Sequence, residues 1–373
     1  MTEVTTAVVQ ILFGLVALTA GGELLVRGAS TLAAIMRISS LVIGLTVVAF
    51  GTSAPELAVG VQAAFSGKTE LAIGNAVGSN IFNILFVLGL SALITPLVVS
   101  SQLIRWDVPL MIFVSVLLLV FGWDGTLSRI DGVILFGGLL TYVAWSIRQS
   151  RRETQARIDE ANEDRTPSLG ARILVVNVAF IIGGLLLLGV GSRGLVSGSI
   201  TIATMLGVSE LIIGLTVVAV GTSLPEVVTS VVAAFRGERD IAVGNAVGSN
   251  IFNILCVLGL SSAIAPSGLE VGTEAIRFDI PVMITVAVAC LPIFYTGHLI
   301  SRWEGGLFFF YYVAYTTYLV LDTMQHEFSR TLGGVTVAFV IPLTTVTLLI
   351  ATYRMARRDK SPSDSTQDGV LGA

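Results

Sequence analysis

Long apolar stretches constrain the fold of this chain more than any other feature. A soluble domain carries about 25% charged residues, whereas only 12% of this chain is charged and 54% is hydrophobic. Eleven stretches approach the roughly 20 residues that a helix needs to cross a bilayer. The sequence therefore predicts an all-α polytopic membrane protein with about eleven transmembrane helices. The predicted spans lie near 6–26, 41–65, 71–95, 107–123, 130–147, 173–192, 208–235, 241–265, 279–298, 304–322 and 332–353.

Lysine and arginine are distributed unequally between the two sides that alternating spans create. One set of loops, together with the C-terminal tail, holds sixteen of these residues, and the other set holds five. Because basic residues accumulate on the cytoplasmic side, we expect the N-terminus outside and the C-terminus in the cytoplasm. We expect the protein in the plasma or inner membrane. The first ten residues contain no basic residue, so no cleaved signal peptide is expected.

The chain contains two copies of one unit. With a constant shift of 170, residues 44–90 and 214–260 are identical at 33 of 47 positions. Each copy covers about five spans, and because five is odd, the second copy enters the membrane in the opposite direction. We therefore expect two inverted-topology five-helix repeats plus an extra C-terminal helix, with a transport site between the repeats. The predicted units are a first repeat at 1–149, a cytoplasmic linker at 150–172, a second repeat at 173–325, and an extra helix with a disordered tail at 326–373.

The sequence Gly-Thr-Ser-x-Pro-Glu occurs once in each copy, at 51–56 and 221–226. Proline lacks a backbone N–H, so each proline leaves a carbonyl one turn earlier without its donor. In hydrocarbon such a group needs another partner, and a cation can take that place beside the hydroxyls and the carboxylate. The candidate ligands from these motifs are the Gly51 and Gly221 carbonyls and the side chains of Thr52, Ser53, Glu56, Thr222, Ser223 and Glu226.

The span that follows each motif carries polar residues at every fourth position, which places them along one face of a helix. These residues are Asn75, Ser79 and Asn83 in the first copy and Asn245, Ser249 and Asn253 in the second. Asn75 and Asn245 have an alternative role, because either can bond the exposed backbone of the broken helix. The GxxxG pairs at 74–78 and 244–248 predict close helix packing rather than chemistry.

Nearly all of these candidate ligands are oxygen atoms, which hard cations such as Ca²⁺, Na⁺ and Mg²⁺ prefer. The two histidines and the two cysteines lie outside the Gly-Thr-Ser-x-Pro-Glu motifs, so neither a zinc or copper site nor a disulfide framework is expected. Two glutamates carry a charge of −2, which one Ca²⁺ or two Na⁺ would neutralise. An empty charged site is costly to move across the membrane, so this charge balance predicts exchange. No cofactor and no nucleic-acid partner are expected.

A second pair of carboxylates lies at the ends of two spans. Asp107 is close in sequence to Arg105, and Asp279 is close to Arg277. For these aspartates we expect a local ion pair or a helix cap rather than a part in transport.

The paired motifs resemble the two alpha-repeats of the cation/calcium antiporter superfamily, and their closest similarity is to the prokaryotic sodium/calcium exchangers. The resemblance covers about 320 residues. It implies a core in which the second, third, seventh and eighth helices surround the ions, while the first and sixth slide as a gating pair. The ion ligands that it implies are the carbonyls of Ala49 and Ala219 and the side chains of Thr52, Ser53, Glu56, Ser79, Asn83, Thr222, Ser223, Glu226, Ser249 and Asn253.

The resemblance implies Na⁺/Ca²⁺ antiport by a lipid-embedded monomer, with Ca²⁺/H⁺ exchange as the alternative. Well-studied sodium/calcium members carry aspartate where this chain has Asn253, so neither their three-sodium stoichiometry nor potassium dependence is assumed. The proton-coupled branch favours Asn in place of Thr-Ser and has nearby histidines, which this chain lacks. A cation channel would need a continuous pore. A membrane hydrolase would need a base beside Ser53 or Ser223, and neither motif contains histidine or lysine.

Overall fold

The computed structural model describes residues 2–160, 171–207, 219–295 and 297–323. Within these ranges the chain is almost entirely helical. Seven helices are long and apolar enough to cross a membrane, or eight if one bent pair counts as a single span. The predicted eleventh span at 332–353 and residues 208–218 of the predicted seventh span lie outside the described residues, so the count of eleven stays a prediction.

Twelve helices, numbered in chain order, make up the described part of the chain. They are α1 Thr2–Met36, α2 Ser40–Thr52, α3 Ala54–Phe65, α4 Thr69–Ile94, α5 Leu103–Asp124, α6 Arg129–Glu160, α7 Ala171–Met205, α8 Ala219–Gly221, α9 Leu224–Phe235, α10 Arg239–Ile264, α11 Ala275–Tyr295 and α12 Arg302–Thr323.

Short π-helical segments interrupt several of these helices. Two occupy matching places in the two halves, Asn83–Leu88 in α4 and Asn253–Leu258 in α10. Another matching pair, Leu103–Asp107 and Ala275–Asp279, opens α5 and α11. Turns of the π type in α-helices are frequent at functional sites. The first pair begins at Asn83 and Asn253, so these two residues are candidates for a functional site.

Glycines at seven-residue intervals allow α1 and α7 to pack with their backbones in contact. A Cβ atom on Gly14 would lie 2.7 Å from the carbonyl oxygen of Gly191, and one on Gly21 would lie 2.8 Å from that of Gly184. Such contacts leave no room for a side chain, as expected for small-residue packing between membrane helices. The contact positions rise along α1 while they fall along α7, so the two helices are antiparallel.

Two short antiparallel ribbons connect loops of the first and second halves. In one, β1 (Leu97–Val98) pairs with β4 (Leu299–Ile300). In the other, β2 (Thr126–Leu127) pairs with β3 (Leu269–Glu270). The alternating topology predicted from the spans places the two loops of each pair on the same side of the membrane, and the pairings agree with that arrangement.

The central helix is α10, whose most apolar 18-residue window is entirely buried. A Cβ atom on Gly244 would lie 2.8 Å from the Leu41 carbonyl oxygen, and one on Gly248 would lie 2.8 Å from that of Leu45. The packing role predicted for this GxxxG pair is therefore confirmed. For the pair at 74–78, a Cβ atom on either glycine meets no described atom within 4 Å, so its packing role stays a prediction.

The segment predicted as a linker is partly helical. Helix α6 continues to Glu160, well past the predicted end of the first repeat at residue 149. Its last turns are rich in Arg, Glu, Gln and Ala, which are good helix formers even without an apolar face to bury. The following residues, 161–170, lie outside the described ranges, and α7 begins at Ala171.

Candidate ion-binding site

Both Gly-Thr-Ser-x-Pro-Glu motifs break their helices at the serine. Ser53 has φ −79° and ψ 7°, and α3 starts at the next residue with Pro55 in its first turn. Helices α2 and α3 meet at an angle of 46°. The second motif repeats this geometry, since Ser223 has φ −91° and ψ 8° and Pro225 lies in the first turn of α9. Each break leaves the N-terminus of a helix inside the protein.

Glu56 lies in the first turn of α3, where the partial positive charge of a helix N-terminus favours an anion. Its side chain is fully buried. One carboxylate oxygen, Oε1, accepts a hydrogen bond of 3.1 Å from the Ser223 hydroxyl and one of 3.4 Å from Ser79. The first half thus supplies the carboxylate and one serine, and the broken helix of the other half supplies the second serine.

Glu226 lies in the first turn of α9 and is buried in the same way. Its Oε1 accepts hydrogen bonds from Ser53 at 3.3 Å and from Ser249 at 3.5 Å. Again one serine comes from the same half and one from the other half. The crosswise bonds bring both carboxylates into a single cluster between the two halves.

The threonine hydroxyls occupy different environments in the two halves. Thr52 donates to Asn245 Oδ1 at 3.0 Å and lies 3.3 Å from the Ala49 carbonyl oxygen. Asn245 in turn donates to the backbone carbonyl of Glu226 at 3.3 Å. The backbone-bonding role considered for this asparagine is therefore found. In the second half, Thr222 Oγ1 has no hydrogen-bond partner among the described residues.

Carbonyl groups at the breaks have hydrogen-bond partners in both halves. The Ala49 carbonyl accepts the Ser53 amide at 3.0 Å and lies 3.3 Å from the Thr52 hydroxyl. In the second half the Gly221 carbonyl accepts a hydrogen bond of 2.5 Å from Ser192 on α7. That residue has no hydroxyl-bearing counterpart in the first half, where the equivalent position is Gly22. The two breaks therefore have the same backbone course but different partners.

Several buried polar atoms of the cluster and its surroundings have no hydrogen-bond partner within the described ranges. They are Glu56 Oε2, Glu226 Oε2, Thr222 Oγ1, Asn83 Oδ1, Asn83 Nδ2, Asn253 Oδ1 and Asn75 Nδ2. A buried polar atom without a partner costs free energy, and a bound cation would remove that cost for the oxygens. Carboxylate, hydroxyl and amide oxygens are the ligands of Ca²⁺ and Na⁺ rather than of softer metals.

Asn83 and Asn253 are the predicted ligands that stand slightly apart from the carboxylate–serine cluster. Both side chains are fully buried, and each lies one turn beyond the serine of its own helix, Ser79 or Ser249. Neither has a hydrogen bond to Glu56 or Glu226. Because the side-chain oxygen of each has no hydrogen-bond partner among the described residues, both asparagines are candidate cation ligands.

Other buried polar residues around the cluster were not predicted from the sequence. Asn80 and Asn250 lie directly after the predicted serines and join a network of amides, and Ser230 accepts a hydrogen bond of 3.0 Å from Asn245. Asn80 and Asn250 could have been found, because they belong to the identical sequence that follows each motif. Ser230 has no counterpart hydroxyl, and nothing in the sequence pattern marks it.

The expected ion pair or helix cap at Asp107 is wrong. Its buried carboxylate accepts hydrogen bonds from the Tyr142 hydroxyl at 3.0 Å and from Gln102 at 3.3 Å. It makes no capping bond to α5. Asp279 has a similar partner, the Tyr315 hydroxyl at 3.4 Å. Packing of helices that are distant in sequence brings each tyrosine to its aspartate. The arginines next to the aspartates in sequence therefore did not predict their partners.

Comparison with known proteins identifies the family. The model of the sodium/calcium exchanger protein family matches residues 6–148 and 176–321, one segment in each half of the chain. The chain belongs to the sodium/calcium exchanger family. The resemblance inferred from the paired motifs is therefore confirmed, and the chain is an integral membrane protein of a cation/calcium antiporter superfamily.

Individual exchangers match most of the chain. It is 39% identical over 320 residues to CaxA of Alkalimonas amylolytica, named an antiporter, across 83% of this chain and 97% of CaxA. It is 35% identical over 355 residues to the sodium/calcium exchanger MaX1 of Methanosarcina acetivorans, across 85% and 99%. A solved structure of the sodium-calcium exchanger NCX_Mj, soaked with 10 mM Na⁺ and zero Ca²⁺, superposes with a TM-score of 0.72 and 32% identity, covering 83% and 97%. The fold is thus that of NCX_Mj.

Proposed function

We propose that the chain is a secondary antiporter that exchanges Na⁺ for Ca²⁺ across the membrane by alternating access. One observation carries the proposal: two fully buried glutamates from opposite halves share a cluster of hydroxyls, and each keeps one carboxylate oxygen without a hydrogen-bond partner among the described residues. Their combined charge of −2 matches one Ca²⁺ or two Na⁺. Competition of the two ions for one pair of carboxylates is what couples their movements.

The ligands in this proposal are the twelve residues named from the sequence. Glu56 and Glu226 bind the cations. The hydroxyl and amide side chains and two backbone carbonyls complete the shell: Ala49, Thr52, Ser53, Ser79, Asn83, Ala219, Thr222, Ser223, Ser249 and Asn253. No resident cofactor has a part in the proposal, and the ions are substrates.

Two repeats of opposite membrane orientation would provide the alternating access. The antiparallel pair α1 and α7 and the two strand pairings between the halves support this arrangement. Glycines along α1 and α7 bring the two backbones into close contact, and we propose that these helices slide as the gating pair. The distribution of basic residues supports a cell-membrane orientation with the N-terminus outside and the C-terminus cytoplasmic, and we propose that the protein acts there as a monomer.

The test is ⁴⁵Ca²⁺ uptake into proteoliposomes that carry an imposed outward Na⁺ gradient, an H⁺ gradient or neither. We expect uptake with the Na⁺ gradient, and none with the H⁺ gradient when Na⁺ is absent. Uptake driven by the H⁺ gradient alone would replace the proposal with Ca²⁺/H⁺ exchange. Uptake that is not saturable and needs no counter-ion would indicate a channel.

A further inference from the structure

A network of buried amides lies beside the carboxylate–serine cluster, between α4 and α10. Asn80 donates through Nδ2 to the backbone carbonyl of Asn250 at 3.2 Å, and the same nitrogen lies 3.4 Å from the Met283 sulfur. Asn253 donates through its own Nδ2 to Asn80 Oδ1 at 3.0 Å. All three asparagines are at most 1% exposed, so bulk water does not compete for these hydrogen bonds.

The chain of hydrogen bonds fixes the orientation of the Asn253 amide. A backbone carbonyl can only accept, so the amide nitrogen of Asn80 must face Asn250 and its oxygen must face Asn253. The group that Asn253 turns toward Asn80 must then be its nitrogen. The remaining atom, Asn253 Oδ1, is buried and has no partner in the described structure. Asn253 therefore offers an oxygen, and not a nitrogen, to any ligand on its free side.

The matching bond in the other half is not formed. By the repeat relation it would join Asn83 Nδ2 to Asn250 Oδ1, and neither atom has a partner within the described ranges. The Asn250 nitrogen instead lies 3.4 Å from the Met111 sulfur. The motif sequences around the two pairs are identical, so the difference arises from their surroundings. Asn253 thus has an amide held by a hydrogen bond, whereas the Asn83 amide has no partner within the described part of the chain.

We propose that Asn80 is a positioning residue that holds the Asn253 amide so that its carbonyl oxygen is presented to the transported cation. This inference rests on the proposed function, since it assumes that cations occupy the cluster beside Asn253. Asn80 Oδ1 requires a donor opposite it, so an amide is accommodated at 253, whereas a carboxylate would place two acceptors against each other unless Asn80 turned and gave up its bond to Asn250.

Asn250 is the counterpart of Asn80 in the second copy and offers a matched control for this inference. Asn80→Ala removes the acceptor that orients Asn253. Asn250→Ala removes the corresponding side chain but leaves the backbone carbonyl that anchors Asn80. Calcium titration of the purified full chain by calorimetry should show affinity about tenfold weaker for Asn80→Ala, the effect of one buried hydrogen bond. The Asn250→Ala change should alter affinity by less than about twofold.

Two further variants separate positioning from a general loss of structure. Asn80→Asp keeps an acceptor opposite the Asn253 nitrogen but loses the donor to the Asn250 carbonyl, so its calcium affinity should be higher than that of Asn80→Ala. In a background that already carries Asn253→Ala, adding Asn80→Ala should weaken binding by less than about twofold. Equal losses in both backgrounds, or equal effects of the Asn80 and Asn250 changes, would overturn the inference. A wild-type chain that binds no Ca²⁺ would instead overturn the proposed function.

Discussion

Replacing Glu56 with glutamine tests the electrostatic basis of the site, because the change removes one charge and little else. Glutamine has the same shape and keeps an oxygen that can accept from Ser223 and Ser79, so the fold should persist. Two unit charges about 4 Å apart interact by about 4 kcal/mol at the effective dielectric constant of about 20 that suits proteins. Calcium carries two charges, so the loss should be at least the roughly 4 kcal/mol of one such pair. A loss of about 4 kcal/mol corresponds to roughly a thousandfold weaker calcium affinity.

The assay is calcium titration of the purified protein, followed by ⁴⁵Ca²⁺ uptake into proteoliposomes. Glu226→Gln should have an effect of similar size, because both carboxylates have the same crosswise serine bonds. Asp107→Asn is the matched control, since it neutralises another fully buried carboxylate that is bonded to Tyr142 and lies outside the cluster. It should leave calcium affinity within about twofold of wild type. Calcium affinity of Glu56→Gln within threefold of wild type would refute the argument.

Three further predictions concern topology, ion coupling and packing. Cysteines introduced at positions 160 and 68 should be labelled from the cytoplasmic and external sides respectively, and the reverse pattern would invert the assigned orientation. Asn253→Asp adds a third carboxylate, so Na⁺-driven Ca²⁺ flux should show a higher apparent sodium affinity; a sodium dependence identical to wild type would remove this position from the site. Gly191→Ala places a Cβ atom 2.8 Å from the Leu18 nitrogen, and such overpacking should cost about 1–3 kcal/mol of stability. Thermal unfolding should show this loss, whereas Gly189→Ala, which meets no described atom within 4 Å, should unfold like wild type.

The broken helices and their carboxylates were predictable from the sequence because local chemistry determines them. Proline fixes where the backbone ladder fails, and Ser53 and Ser223 are the residues at which the structure departs from helical geometry. A buried glutamate just after such a break has few explanations other than ion binding. The internal repeat then doubles the signal, since the same break and the same carboxylate occur twice.

Contacts between distant segments could not be predicted in the same way. Ser223 reaches Glu56 across 167 positions of sequence, and Tyr142 reaches Asp107 across 35. Both depend on how helices pack, which the apolar patterns alone do not specify. The nearest charged neighbour of Asp107 in sequence, Arg105, was therefore a poor guide to its partner.

The difference between the two halves was equally invisible in the sequence. The residues from Gly74 to Leu85 are identical to their counterparts in the second copy, yet Asn253 is bonded to Asn80 while the corresponding Asn83–Asn250 bond is absent. Identical sequences differ here because each is packed against a different set of neighbours. The helical extension of α6 to Glu160 was not predicted for a simpler reason. High charge in residues 150–172 indicated a linker, although its first residues are good helix formers.

Na⁺ and Ca²⁺ should compete for one pair of carboxylates, and equilibrium binding measures this competition. Calcium should be titrated into the purified chain by calorimetry at a series of sodium concentrations, with choline maintaining the ionic strength. We expect the apparent Kd for calcium to rise with about the square of the sodium concentration once sodium competes, because two Na⁺ replace one Ca²⁺ on a site of charge −2. A calcium Kd that does not change with sodium would contradict this expectation.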